Sequence, residues 1–438
     1  MFGRRNDDDE FEDDDEELEP EYDLVSFRGP LSGDAVDMSK HASVARVGLG
    51  PAREMISDAL SRRGEMVRLD TRGAAAAVRT YIDGVAYPGG RMPARQAAAI
   101  TQVLKLLAGL DPKVRDRKQS GGIKADLDGV DYVLRIDTEP AGKSERLTVR
   151  AENQKERLEK PEELGFPPDL KEMIREMAGG AKGGLYIVGP PLSGVTTTTF
   201  GVLRSVDSYV YNIYAIGDLG GRDLHTLTDF TPNKNESLDD AITRVIRAEA
   251  DVIYVDRIDS KEEAERALNF GEDLSIIGEL AAKDLVSGIG QLCKWSGNPA
   301  LVAERVNGLI QPRLIRKLCG KCKQAFRPNP KLVARVNLPR ETDLLYRPPG
   351  REVTEAEEYE PCRRCGGVGY LGRTGIFAAL RMTEGVKEIL NTKPSASALK
   401  QQIRADGMPT FESEGLRLVA EGTTSLEELQ RVFQEAAG

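Results

Sequence analysis

Gly189-Pro190-Pro191-Leu192-Ser193-Gly194-Val195-Thr196 has the spacing of a phosphate-binding loop: a glycine, four residues, a second glycine, one residue and a hydroxyl. Such a loop sits between a buried strand and the start of a helix, so it constrains everything around it. The flanks agree. Gly184-Leu185-Tyr186-Ile187-Val188 reads as a short buried strand, and Thr197 to Ser205 can open a helix. From about Leu164 onward helices and strands alternate, the rhythm of a parallel sheet. One position departs from the pattern, because the lysine slot holds Val195. The loop amides of Gly189, Ser193, Gly194, Val195, Thr196 and Thr197 can still form an anion-binding concavity. Valine, however, brings no cation to the β- and γ-phosphates. Pro190 and Pro191 also stiffen the loop and remove two donors.

A chain of 438 residues has room for two to three domains. Its net charge of −10 is concentrated in one place. Residues 7–23 hold thirteen acidic groups and no basic one, so the rest is close to neutral. Residues 1–24 read as a disordered acidic tail, either a solubilising segment or a docking arm for a basic surface. No run of eighteen apolar residues is present, so no membrane-spanning helix is expected. No apolar signal-peptide core is visible at the N-terminus, so export is not expected. Four of the five cysteines form two Cys-x-x-Cys pairs, Cys319/Cys322 and Cys362/Cys365. Without an export signal that pattern favours metal over disulfide, and two such knuckles suit tetrahedral Zn²⁺ in a closed structural site. Cys293 reads as a small buried apolar side chain.

Residues 25–49 show no clear period and read as a linker. Residues 50–152 read as one α+β domain. It opens with a helix around Met55, Ile56, Ala59 and Leu60, with Pro51 in its first turn. Strands follow at Met66 to Leu69 and Ala76 to Ile82, then a turn at Asp83-Gly84 and a helix from about Pro93 to Ala108. Alternating segments at Tyr132 to Ile136 and Arg146 to Arg150 complete it. Residues 153–163 form a charged connector. Residues 164–438 carry the phosphate loop, a cysteine module at about 318–370 and a helical C-terminal end.

Several ordered landmarks resemble the secretion ATPase family, the motors of type II secretion and type IV pilus assembly (the protein E type). They are Arg62-Arg63-Gly64, Tyr81-Ile82-Asp83-Gly84-Val85, Leu104-Lys105 through Ala108-Gly109-Leu110-Asp111 with Gln119 and Gly121, Leu164-Gly165-Phe166, and the segments around the four cysteines. The resemblance implies an α/β P-loop (RecA-like) domain with an N-terminal α+β PAS-like domain and a four-cysteine zinc insertion. It implies a ring, usually hexameric, at the cytoplasmic face of the inner membrane, docked on secretion or pilus platform proteins. No nucleic acid is expected.

Against that family the departures fall in the chemistry. The acidic box aligns with Ile216-Gly217-Asp218-Leu219-Gly220-Gly221, where only Asp218 survives. The Walker B glutamate is Arg257, preceded by Asp256, whose side chain a regular strand would turn the opposite way. The histidine box aligns with Glu279-Leu280-Ala281-Ala282-Lys283-Asp284, and the only histidines are His41 and His225. Arg135 and Arg150, with Arg79 and Arg115, fall in segments where the family uses arginines to sense nucleotide. Phosphoryl transfer depends on positioning and charge stabilisation, so the expected function is a non-hydrolysing, pseudo-ATPase subunit or regulator working with an active ATPase paralogue. ATP/Mg²⁺ is then a doubtful ligand. The alternatives are a divergent active ATPase and a scaffold without nucleotide role.

Overall fold

The computed structural model describes residues 23–435 apart from 32–37, 143, 156, 157, 159, 220–223, 225, 226, 231, 232, 234, 235, 339–341, 351–359, 393 and 394. Residues 1–22 of the acidic tail, Gly220, Gly221 and His225 therefore lie outside the described residues. The chain divides into two compact units, residues 1–157 and 158–438.

The first unit is a seven-stranded antiparallel sheet with helices on one face. Its elements are β1 (Ser26–Pro30), α1 (Ala42–Ser61), β2 (Met66–Arg72), β3 (Ala75–Ile82), β4 (Val85–Pro93), α2 (Ala94–Leu107), β5 (Gln119–Leu127), β6 (Val130–Ala141) and β7 (Ser144–Asn153). The strand order is β1-β5-β6-β7-β2-β3-β4. Alternation places Ile123, Leu134, Ile136, Leu147, Val149, Val67 and Leu69 on one face, against Ile56 of α1 and Ile100, Val103 and Leu104 of α2. Two family landmarks have structural work here. Lys105 is fully buried at the end of α2, where Nζ donates to Glu145 Oε1 at 2.6 Å and to the Val114 carbonyl. Gln119 brackets Asp111, donating to its carbonyl at 3.0 Å and accepting from its amide at 3.1 Å.

The described residues of 25–49 are built into the first unit rather than forming a linker. Val25 is fully buried and its amide donates to Ser57 Oγ at 2.7 Å. β1 pairs with β5, and α1 begins at Ala42. Pro51 accordingly lies inside α1 rather than in its first turn. The period is faint because only Gly48 is buried in the first two turns of α1, facing the Ala99 carbonyl so closely that a Cβ would lie 2.4 Å away. The acidic tail also ends sooner than residue 24, since Arg53 ties down the carbonyls of Leu24 and Val25.

The second unit is α/β. In chain order it contains α3 (Pro168–Ala178), β8 (Gly183–Val188), α4 (Val195–Ser205), β9 (Ile213–Ala215), β10 (Thr228–Asp229), α5 (Leu238–Arg247), β11 (Val252–Ile258), α6 (Lys261–Phe270), β12 (Ser275–Leu280), α7 (Leu285–Ser296), α8 (Pro299–Arg305) and β13 (Val306–Leu318). There follow β14 (Gln324–Phe326), α9 (Pro330–Arg335), β15 (Leu345–Arg347), β16 (Tyr370–Arg381), α10 (Glu384–Thr392), α11 (Ala396–Ala405), α12 (Phe411–Ala420) and α13 (Leu426–Glu435). The sheet order is β10-β9-β11-β12-β8-β13-β16, with β16 alone antiparallel to its neighbour. β8 is buried along its whole length, as a parallel strand covered on both faces must be. Leu185 and Ile187 face α3 and α4; Tyr186 and Val188 face the core shared with α5, α6, α7 and α8.

Candidate functional site

The loop sits where a phosphate loop should, between the C-terminal end of β8 and the first turn of α4. It is tied to the segment after β12, which β13 braces in turn. The Gly189 amide donates to the Ala282 carbonyl at 3.0 Å, and Gln311 Nε2 on β13 donates to the Lys283 carbonyl at 3.0 Å. Within the loop the Ser193 amide returns to the Pro190 carbonyl at 3.2 Å. Gly194 takes φ 95, a left-handed conformation suited to glycine, and Leu192 takes φ 68, which costs a leucine about 1 kcal/mol. A Cβ on Gly189 would lie 2.6 Å from Ser193 Oγ, so the loop closes on itself without room for a side chain. Ser193 Oγ is buried and has no hydrogen-bond partner among the described residues.

α4 begins at Val195, two residues before the Thr197 start read from sequence, and has no side-chain cap. Its first-turn amides therefore remain open at the helix end. Thr196 is exposed and Thr197 half-buried. Val195 packs against the core formed by Leu185, Ile187, Phe200 and Ile310. The position that would carry a cation is thus part of the apolar floor.

The acidic-box segment shows an exchange that the aligned sequence hid. β11 carries Asp256 and Arg257, both exposed. The register against β12 shifts between Val255 and Ile258, so regular alternation fails there. Asp256 lies within this irregular stretch. Its Oδ1 accepts the Asp218 amide at 2.8 Å, and a Cβ on Gly217 would lie 2.7 Å from that oxygen and from the Asp256 amide. Asp256 occupies the space that a side chain at 217 would need. Tyr254 is buried below and its hydroxyl reaches the Asp218 carbonyl at 3.4 Å. Only a structure could show that Ala282, Gln311 and Asp256 brace the loops, since each partner lies far away in sequence.

The four cysteines come together. Cys319 and Cys322 follow β13, and Cys362 and Cys365 precede β16. Their sulfurs lie within 4.8 Å of one another, with Cys319 to Cys362 at 4.0 Å and Cys322 to Cys365 at 3.7 Å. A tetrahedron of ligands about 2.3 Å from a metal has edges of about 3.8 Å, so the cluster fits one tetrahedral ion. The Cys322 and Cys319 backbones form one tight knuckle, Cys365 and Cys362 the other. The Gly369 amide donates to Cys365 Sγ at 3.3 Å. Backbone donors at Cys365 and Arg364 hold the Cys362 thiol down at about 7, while burial pushes Cys322 and Cys365 up. Cys293 stands apart and is half-buried, less covered than its sequence reading.

Arg135 and Arg150 stand directly opposite one another on β6 and β7, on the sheet face away from α1 and α2. Arg150 pairs with Asp137, whereas Arg135 is exposed. Arg79 lies on the same face, 3.1 Å from Asp70; Arg115 instead approaches Glu145 at 3.8 Å. These arginines belong to the first unit and the phosphate loop to the second.

Among known proteins the chain is similar to the type IV pilus assembly ATPase PilB of Thermus thermophilus, with 26% identity over 86% of this chain and 42% of that protein. It is similar to the type II secretion system protein E of Pseudomonas aeruginosa, with 25% identity over 96% of this chain and 82% of that protein. It therefore spans less than half of the first relative and most of the second. The X-ray structure of the Legionella pneumophila ATPase DotB shares the fold, with a TM-score of 0.53 at 11% identity over 87% of this chain and 94% of that one. A family model described as Type II/IV secretion system protein matches residues 41–431, and the chain belongs to that family.

Proposed function

We propose that this chain is a non-hydrolysing subunit or regulator of a secretion or pilus motor. The observation that carries the reading is Val195, packed into the floor of an otherwise shaped phosphate loop. Arg257 in place of the Walker B carboxylate and Asp256 engaged with the Asp218 amide point the same way. Single losses of electrostatic catalytic groups cost on the order of 10²–10³ in rate, and several are combined here. The open first turn of α4 and the exposed Thr196 support weak nucleotide binding without turnover. The cysteine cluster is read as a structural zinc site, and the antiparallel first unit as the family's PAS-like domain. The chain would join a ring, hexameric or mixed with an active ATPase paralogue, at the cytoplasmic face of the inner membrane on its platform proteins. Release of phosphate from γ-labelled ATP by the purified chain tests the central claim. The expected result is no turnover above that of a blank purification; steady turnover lost in Thr196→Ala would overturn it.

A further inference from the structure

The open face of the first unit's sheet is a field of cations. Along β2, β3, β5, β6 and β7 the residues turned away from α1 and α2 include Arg68, Arg79, Lys124, Arg135, Arg146 and Arg150. Three guanidiniums converge on one carboxylate: Asp70 lies 2.6 Å from Arg146, 3.1 Å from Arg79 and 3.2 Å from Arg68. Burial pushes the Asp70 carboxyl up, yet those arginines outweigh it and hold it below its ordinary value. Asp137 and Glu139 engage Arg150 and Arg146. Arg135 and Lys124 are exposed and have no carboxylate partner among the described residues. Several of these cations share a carboxylate or have none, so the centre of the face keeps a positive excess. Besides Asp70, Asp137 and Glu139, the face carries Glu152 on β7, opposite Val133, and at one corner Asp126 and Asp131, both taken up by Arg28.

That corner is where the acidic segment enters. β1 is the edge strand beside β5, and Asp23 lies against Asp128 in the β5–β6 turn, raising its carboxyl. The charges there repel a further run of carboxylates, while Lys124 and Arg135 attract it from a few residues along the same two strands. Residues 7–22 hold twelve of the thirteen acidic groups of residues 7–23, Asp23 being the other, with no cation among them. The twenty-two residues preceding Asp23 reach about 70 Å when extended. A seven-stranded sheet is about 30 Å across. Reach, charge and point of attachment agree on one occupant. We propose that residues 7–22 dock on this arginine face of their own chain. The proposal does not rest on the nucleotide chemistry of the second unit.

The test replaces Phe11, in the middle of the acidic run, with the photo-cross-linker p-benzoylphenylalanine in the full-length chain. Cross-linked peptides are mapped at 50 mM and at 1 M NaCl. Exposed pairs of this kind are screened over about 10 Å at 0.1 M salt and about 3 Å at 1 M. We expect intrachain cross-links to β2, β5, β6 and β7 at low salt, reduced at least fivefold at 1 M salt. The same reduction is expected in a Lys124→Glu/Arg135→Glu variant, whose exposed positions leave the fold intact by circular dichroism. Cross-links confined to residues 158–438, cross-links only between two copies, or a pattern indifferent to salt and charge reversal would each overturn the proposal.

Discussion

Gly217 and Asp256 show how a pair of residues differs from two residues. Aligned one at a time, they are two departures: a lost carboxylate and an acid gained on the wrong side of a strand. In space they are one exchange, because the Asp256 carboxylate fills the room above Gly217 and accepts the next amide in the loop. The sequence made Gly217 visible but not its neighbour, since the irregular register at Val255–Ile258 breaks the alternation on which the side-chain direction was inferred. The consequence is a specific non-additivity. Gly217→Ala forces its Cβ against backbone and carboxylate and is expected to destabilise by about 1–3 kcal/mol. Asp256→Gly loses one hydrogen bond, at about 1 kcal/mol. The double variant is expected to recover most of the Gly217→Ala loss, with a coupling of at least ~0.5 kcal/mol in urea denaturation. Strict additivity would remove the exchange. Val195 was legible by contrast, because a motif position is read directly; that it belongs to the floor of the loop was not.

At the scale of elements, β13 and β16 form a paired arm from Gly308–Arg381 to Leu318–Tyr370, and the cysteine loops close its far end. The cysteine spacing was readable because each ligand pair is local. What braces the arm was not readable, because its key partner is 112 residues away. Glu428 of α13 is buried and accepts from the Arg316 amide, Nε and Nη2, the shortest at 2.6 Å, and from Arg431. Arg316 also stacks 4.0 Å over the Tyr370 ring. Glu428→Ala leaves a buried guanidinium uncompensated and is expected to cost about 3–5 kcal/mol by chemical denaturation. Acid has a matching effect. Burial pushes the Glu428 carboxyl up, but the hydrogen bonds from Arg431 and Arg316 prevail and its folded value is depressed. Its contribution is therefore present above the ordinary carboxylate range and lost as pH falls from there through the depressed folded value. The difference in stability between the parent and Glu428→Gln should narrow in that window. The cysteine cluster makes a separate prediction: the purified chain is expected to carry one bound ion by elemental analysis, and Cys362→Ser to abolish it and lower the melting temperature of the second unit. An unchanged metal content would show that the four sulfurs do not hold it.

For the whole molecule, the alternating pattern in residues 122–150 and the βαβ rhythm beyond residue 164 announced an α+β domain followed by a parallel-sheet core. The boundary at the N-terminal side was missed because residues 25–49 bury few side chains, so their period is faint. Their role depends on pairing with β5, almost a hundred residues on, which composition cannot express. The described cores follow the division: one cluster runs from Val25 to Ala151, and the other three begin at Leu164 or later. No cluster draws on both units, so each has the apolar interior that independent folding requires. Residues 23–157 produced alone are therefore expected to be monomeric and to melt in one cooperative transition, with an enthalpy of about 90 kcal/mol for a domain of this size. A fragment beginning at Ala42 lacks Val25 and the edge strand, leaving β5 unpaired and the Ser57 hydroxyl without the amide it accepts. It should melt lower or aggregate through the exposed edge. Equal stability of the two fragments would mean that β1 is an appendage, and the division at residues 25–49 would return to where the sequence first placed it.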